Sequence, residues 1–235
     1  MTMAGEVNLH PQSFLFFFCQ ASVGMFITTV FLIETITVLG TAAFALSAVF
    51  AASEKKTDVF TVLVLAVTTA VGGGTIRDCM LDVPVFWSQD IYLVWIAIAS
   101  GLIGFICFPL IKKNWMNKVN LYVDSVALAM FAIQGTEKAW SLGFGLPVAP
   151  IILGVITAVG GGIVRDVLIQ RPTLFLSKEL YAIPVAIGCT LHAIVLSFAP
   201  QFADFSAVGA IVLVIYMRHL TINKHVQVPS WAIMR

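Results

Sequence analysis

Charge is scarce in this chain. Of its 235 residues only 11% are Asp, Glu, Lys or Arg, against 60% hydrophobic residues, and the mean hydropathy is +0.99. So few charges cannot coat a water-facing surface, which excludes a soluble globule. The formal net charge is only +1, which also excludes a broad nucleic-acid-binding face, since such faces gather many basic side chains. Cysteine is sparse and unpaired. Cys19, Cys79, Cys107 and Cys189 stand singly in apolar stretches, without zinc or disulfide spacing, and read as small buried hydrophobes. Also missing are a Gly-x-x-x-x-Gly-Lys-Ser/Thr nucleotide loop, a His-Glu-x-x-His zinc helix and a Gly-x-Ser-x-Gly nucleophile elbow, so neither an enzyme nor a cofactor is indicated. The Thr-Val-Gly-Tyr-Gly filter of potassium channels is absent, and strong potassium-over-sodium selectivity is not supported.

What is present is apolar sequence in blocks of membrane-spanning length. Windows bounded by charge, Gly or Pro predict seven helical spans, near Phe31–Ala52, Asp58–Leu81, Ile91–Ile111, Leu121–Trp140, Leu146–Ile169, Glu179–Ala199 and Phe205–Ile222. The apolar segment Ser13–Val30, joined to the first span, would be too long for one straight crossing of a hydrocarbon core roughly 30 Å thick. Residues 1–30 therefore read as an extension, as an extra helix or as a leader. Glu6, with no Lys or Arg before residue 13, weighs against a signal peptide. With seven spans, Lys55, Lys56, Lys112, Lys113, Lys118, Arg165, Arg171, Lys178, Arg218, Lys224 and Arg235 fall on one side and only Arg77 and Lys138 on the other. The first side is expected to be cytoplasmic, with the amino terminus outside and the carboxyl terminus inside. Trp87, Tyr92, Trp95, Trp115, Trp140 and Tyr181 lie near span ends, as an aromatic belt does.

The sequence also repeats itself. Thr69-Ala-Val-Gly-Gly-Gly-Thr-Ile-Arg-Asp78 recurs 88 positions later as Thr157-Ala-Val-Gly-Gly-Gly-Ile-Val-Arg-Asp166, with eight of ten positions identical. Pro84 and Pro172 keep that offset, and the Phe44 region faces the Phe131 region more loosely. The repeats cover residues 31–111 and 119–199, with the seventh span at 203–222 and a tail at 223–235. Three spans per copy is odd, so the copies enter the membrane in opposite directions.

Glycine has low helix propensity and no side chain. A kink or break is expected at Gly72, Gly73 and Gly74, and again at Gly160, Gly161 and Gly162. Broken backbone at membrane depth must face protein or a water-filled cavity, and two symmetric breaks would offer polar backbone to a passing ion near the midplane. The alternative is that the glycines let helices pack closely. Arg77, Asp78, Arg165 and Asp166 follow about one turn later, and charge at that depth needs a partner or water. Sequence neighbours do not face each other on a helix, so each arginine is expected to pair with an acid elsewhere, with Glu34 and Asp124 as candidates. Thr69 and Thr157 could offer hydroxyls to a cation or bond their own helix. Gln134 and Ser47 occupy equivalent positions and could line the same cavity. His192 reads as a packing residue.

The doubled Gly-Gly-Gly-x-x-Arg-Asp motif, with Val85-Phe-Trp87 downstream of its first copy, resembles the paired signatures of a bacterial membrane family related to the trimeric intracellular cation channels, some of whose members are described as glycine transporters. The resemblance spans residues 31–222. It implies an all-α membrane protomer of seven helices, two inverted three-helix repeats plus a seventh helix, kinked second and fifth helices, a homotrimer, and one pore per protomer near Arg77, Asp78, Arg165 and Asp166. It implies monovalent cations, potassium and sodium, as partners, within membrane lipid of a bacterial inner membrane. Animal members carry a phosphoinositide-linked basic motif after the glycines, whereas Thr75-Ile-Arg-Asp78 here has one basic residue. A secondary transporter of a small amino acid such as glycine fits the same features, because inverted repeats are a common scaffold for alternating access.

Overall fold

The computed structural model describes residues 11–53, 55, 57–110, 113–176 and 180–224, with side-chain contacts from residue 31. Residues 1–10, the tail beyond Lys224, and Lys56, Lys112 and Lys178 of the sidedness count lie outside the described residues. The helices are α1 (Pro11–Ala52), α2 (Val59–Met80), the short α3 (Phe86–Gln89), α4 (Tyr92–Cys107), α5 (Lys113–Ser141), α6 (Val148–Leu168), α7 (Ala182–Phe198) and α8 (Ala203–Lys224). No strand occurs among the described residues. In hydrocarbon a chain must satisfy its backbone polar groups internally, and helices do so within each segment. The windows Phe31–Ala52, Val59–Met80, Val148–Leu168 and Pro200–Lys224 are long and apolar enough to cross a membrane, and α4 and α7 are shorter apolar helices. The protein is an all-α, multi-pass membrane protein.

One difference concerns the amino-terminal segment. It forms no separate helix: α1 runs without interruption from Pro11 through the first expected span. At 1.5 Å per residue its 42 residues reach about 63 Å, roughly twice a bilayer core.

α1, α2 and α4 form one copy of the repeat and α5, α6 and α7 the other, with α8 packed against α5 and α7. The copies meet through α1 against α5 and α2 against α6, and Phe44 stacks on Phe131 with ring centroids 5.2 Å apart. Their helix ends match in detail. Asp82 closes α2 in the left-handed region at φ 53°, and Gln170 closes α6 at φ 52°. The Val83 amide then donates to the Asp78 carbonyl at 3.1 Å, and the Arg171 amide to that of Asp166 at 3.0 Å. These bonds satisfy carbonyls that a helix end would otherwise leave open. At the other end of α2, Asp58 accepts both the amide (3.0 Å) and the hydroxyl (2.7 Å) of Thr61.

The expected interruption at the glycine triplets does not occur. α2 and α6 stay α-helical through Gly72–Gly74 and Gly160–Gly162. The triplets instead bring the two helices into backbone contact. A Cβ on Gly73 would collide with the Thr157 carbonyl oxygen, one on Gly161 with the Thr69 carbonyl oxygen, and one on Gly160 would lie 3.1 Å from the Gly73 Cα. Close approach lets dispersion contacts accumulate where larger side chains would hold the helices apart, and this outweighs the weak helix propensity of glycine. The threonines follow the same logic. Thr69 donates its hydroxyl to the Leu65 carbonyl at 2.7 Å and Thr157 to Leu153 at 2.5 Å, so both are turned to their own helices.

Candidate functional site

Arg77 and Arg165 sit in the last turns of α2 and α6, and neither side chain is exposed. Each binds its own neighbour after all. Arg77 Nε donates to Asp78 Oδ1 at 2.8 Å and Arg165 Nε to Asp166 Oδ1 at 2.9 Å. A guanidinium on a long stem can fold back over the helix end, a reach that the facing rule for helix surfaces does not capture. Each arginine also reaches into the other copy: Arg77 Nη1 donates to Gln134, and Arg165 Nη1 to Ser47 at 2.8 Å.

Each aspartate in turn anchors the loop that follows its helix. Asp78 accepts the Phe86 amide at 2.8 Å and an ion pair from Lys138 at 2.9 Å. Asp166 accepts the Leu174 amide at 3.0 Å and an ion pair from Arg171 at 2.9 Å. Phe86 lies against Gly74, with the Arg77 guanidinium 5.6 Å from its ring centroid. Phe86, the first residue of α3, thus covers the first arginine from the side.

The two expected acid partners behave differently. Asp124 pairs with Arg165 at 2.7 Å and also accepts the Tyr181 hydroxyl at 3.0 Å. Glu34 touches neither arginine: it is exposed and accepts the Tyr92 hydroxyl at 3.2 Å. Tyr181, read as part of an aromatic belt, is 3% exposed, because its hydroxyl finds a buried carboxylate. Arg218 of α8, read only as a sidedness charge, is buried too. Its Nε donates to Ser125 Oγ and its Nη1 to the Leu180 carbonyl, both at 3.2 Å, and its guanidinium stands 4.9 Å from the Tyr181 ring centroid. An arginine inside an otherwise apolar span was the available signal for it. Three buried guanidinium nitrogens, Nη2 of Arg77, Arg165 and Arg218, find no partner among the described residues.

Beside the Arg77 cluster lies a cavity of about 610 Å³. Glu34, Asp90 and Glu137 supply three carboxylates to its lining and Lys138 its one ammonium, which is already engaged by Asp78. Deeper in, Thr37, Leu93 and Gln134 form its wall, so the cavity ends one side chain away from Arg77. His192 is fully buried behind it, with Nε2 3.2 Å from Glu137 and Nδ1 2.7 Å from Ser206, the satisfied packing role expected of it. Among the described residues no cluster of His, Cys, Asp and Glu has the makings of a metal site.

An apolar helical bundle built from two inverted copies, with a charged cluster closing each and a polar cavity leading to one of them, defines a multi-pass membrane protein of the inverted-repeat class. The sequence profile of the family described as Glycine transporter matches it twice, over residues 34–109 and 121–197, once per structural copy, and the chain belongs to that family. The UPF0126 inner membrane protein YadS of Escherichia coli is 38% identical over 206 residues, covering 86% of this chain and 97% of YadS. The UPF0126 membrane protein YvgT of Bacillus subtilis is 41% identical over 157 residues, 66% of this chain and 76% of that one. Among solved structures, the trimeric intracellular cation channel orthologue from Rhodobacter sphaeroides aligns with a TM-score of 0.77 at 28% identity, covering 83% of this chain and 98% of that chain. Another TRIC cation channel aligns at 0.72 and 29% identity, over 86% and 98%.

Proposed function

We propose that the protein is a homotrimeric monovalent-cation channel of the bacterial inner membrane, conducting potassium and sodium through one path in each protomer. The observation that carries this reading is the cavity rimmed by three carboxylates that leads to the buried Arg77 cluster. A mouth with excess negative charge concentrates cations, as a low-dielectric cleft of one sign does. The likeness to cation channels over most of the chain supports it. So do the buried guanidinium nitrogens that find no partner among the described residues, because such groups are ordinarily satisfied by water.

Since α2 and α6 are uninterrupted, the path runs beside their backbones, and the ion meets side chains. Gln134 on one side and Ser47 on the other are the neutral oxygens nearest the two arginines. With the amino terminus outside, the cavity is the outer vestibule and Arg165, Asp124 and Tyr181 close the cytoplasmic half. Arg165 would respond to voltage only by crossing part of the field, at about 2.3 kcal/mol per charge per 100 mV.

Purified protein in planar bilayers under a potassium gradient tests the proposal. Discrete unitary steps reversing near the potassium potential are expected. Silent bilayers together with saturable glycine uptake into liposomes would establish the second reading, a carrier of a small zwitterion, which the family's description favours. Arg77→Gln is expected to change the unitary current about twofold or more while trimers persist on size exclusion, because Asp78 keeps Lys138 and the Phe86 amide. Unchanged current in that variant would assign Arg77 to scaffolding.

A further inference from the structure

We propose that position 37 sets the electrostatic barrier of the outer half of the path: Thr37 stands where the inverted copy has Asp124, and Arg77 therefore lacks the second counter-charge that Arg165 has. The inference rests on the cation-channel reading. Its basis is the register between the two copies. Phe44 meets Phe131, and Ser47 and Gln134 each contact the other copy's arginine; both pairs are 87 positions apart in sequence. The same offset on the same two helices carries Asp124 onto Thr37. Thr37 is 8% exposed, and its hydroxyl donates to the Ile33 carbonyl at 2.8 Å, leaving Arg77 without it.

The ion pairs around the two arginines then differ by one carboxylate. Arg165 and Arg171 share two carboxylates, Asp166 and Asp124. Arg77 and Lys138 share one, Asp78. Arg165 thus touches two carboxylates directly, whereas among the described residues Arg77 touches one. Space follows charge here. Asp124 and Tyr181 bond each other, whereas their counterparts Thr37 and Leu93 cannot, and both line the vestibule. A cation entering that vestibule is drawn in by the exposed carboxylates Glu34 and Asp90, which solvent and salt screen, and then meets a buried guanidinium, which they screen far less. A carboxylate at position 37 would supply the missing charge next to Gln134, within the same wall.

The test is single-channel recording of Thr37→Asp and Gln134→Glu beside the parent protein, in the parent background and with Arg77→Gln. Both variants are expected to raise unitary potassium conductance about threefold or more at low salt, less at high salt, and by a clearly smaller factor with Arg77→Gln, where the guanidinium no longer sets the barrier. Gln134→Glu keeps the side-chain shape, so it serves if Thr37→Asp does not fold. A parent that conducts with both variants unchanged overturns the inference alone. A gain of undiminished factor in the Arg77→Gln background also overturns it, since Arg77 would then not be the barrier that the carboxylate offsets. A silent parent overturns the channel reading and this inference with it.

Discussion

Gly73→Ala and Gly161→Ala are each expected to abolish recovery of folded, monodisperse protein, while Gly209→Ala is recovered at the parent level. A methyl group on Gly73 falls on the Thr157 carbonyl oxygen and one on Gly161 falls on that of Thr69, and neither atom belongs to a side chain that can rotate away. Relief requires α2 and α6 to separate, which opens one of the two main contacts between the copies. Overpacking a well-filled core costs about 1–3 kcal/mol even where side chains can yield, and a backbone obstacle puts these variants at or above the upper end. Nothing lies within 4 Å of a Cβ placed on Gly209. Gly72→Ala is an internal control, since its added Cβ would sit 3.6 Å from Val164, an ordinary contact. Thermal unfolding in detergent, read by light scattering and fluorescence, measures the order. Folded Gly73→Ala protein with an unchanged midpoint would mean that the two helices are not in backbone contact.

Asp124→Ala is expected to cost about 3–5 kcal/mol, the range for removing one partner of a buried ion pair. Arg165 would keep Asp166, but Asp166 is shared with Arg171, so the cluster would carry an uncompensated charge out of reach of bulk water. The Tyr181 hydroxyl would lose its acceptor at the same time. Combining Asp124→Leu with Arg165→Met is expected to recover much of that loss, since apolar side chains of similar volume often replace a buried pair at little cost. The comparison separates stability from conduction. If the double variant is as stable as the parent but its gating has changed, the pair serves the path, and if Asp124→Ala unfolds no sooner than the parent, the pair has little energetic weight.

Much of the architecture was legible in the sequence because hydropathy and repetition are local signals. Span positions follow from the balance of apolar and charged residues, and the doubled motif gives the inverted halves directly. The glycine triplets were misleading for a physical reason: propensity reports what glycine does to an isolated helix, and says nothing of the neighbour that a missing side chain admits. The alternative of close packing was open from the sequence, and the backbone contacts show that the glycines serve it without breaking either helix. Asp124 could be named as a partner because few buried acids were available. Tyr181, Phe86 and Arg218 could not, since their roles depend on which loop or helix folds over the arginines. That Arg165 has a second carboxylate partner where Arg77 faces Thr37 was hidden as well, because it needs the register of α1 against α5.

The reciprocal reach of the two arginines has a consequence for how the chain can be divided. Arg77 ends on a side chain from the second half and Arg165 on two from the first and the second, so neither half holds a complete set of contacts for its own guanidinium. Duplication is plain in the amino-acid order, yet each piece draws part of its arginine's contacts from the other. A substitution at Ser47 or Gln134 therefore acts on the guanidinium of the opposite half.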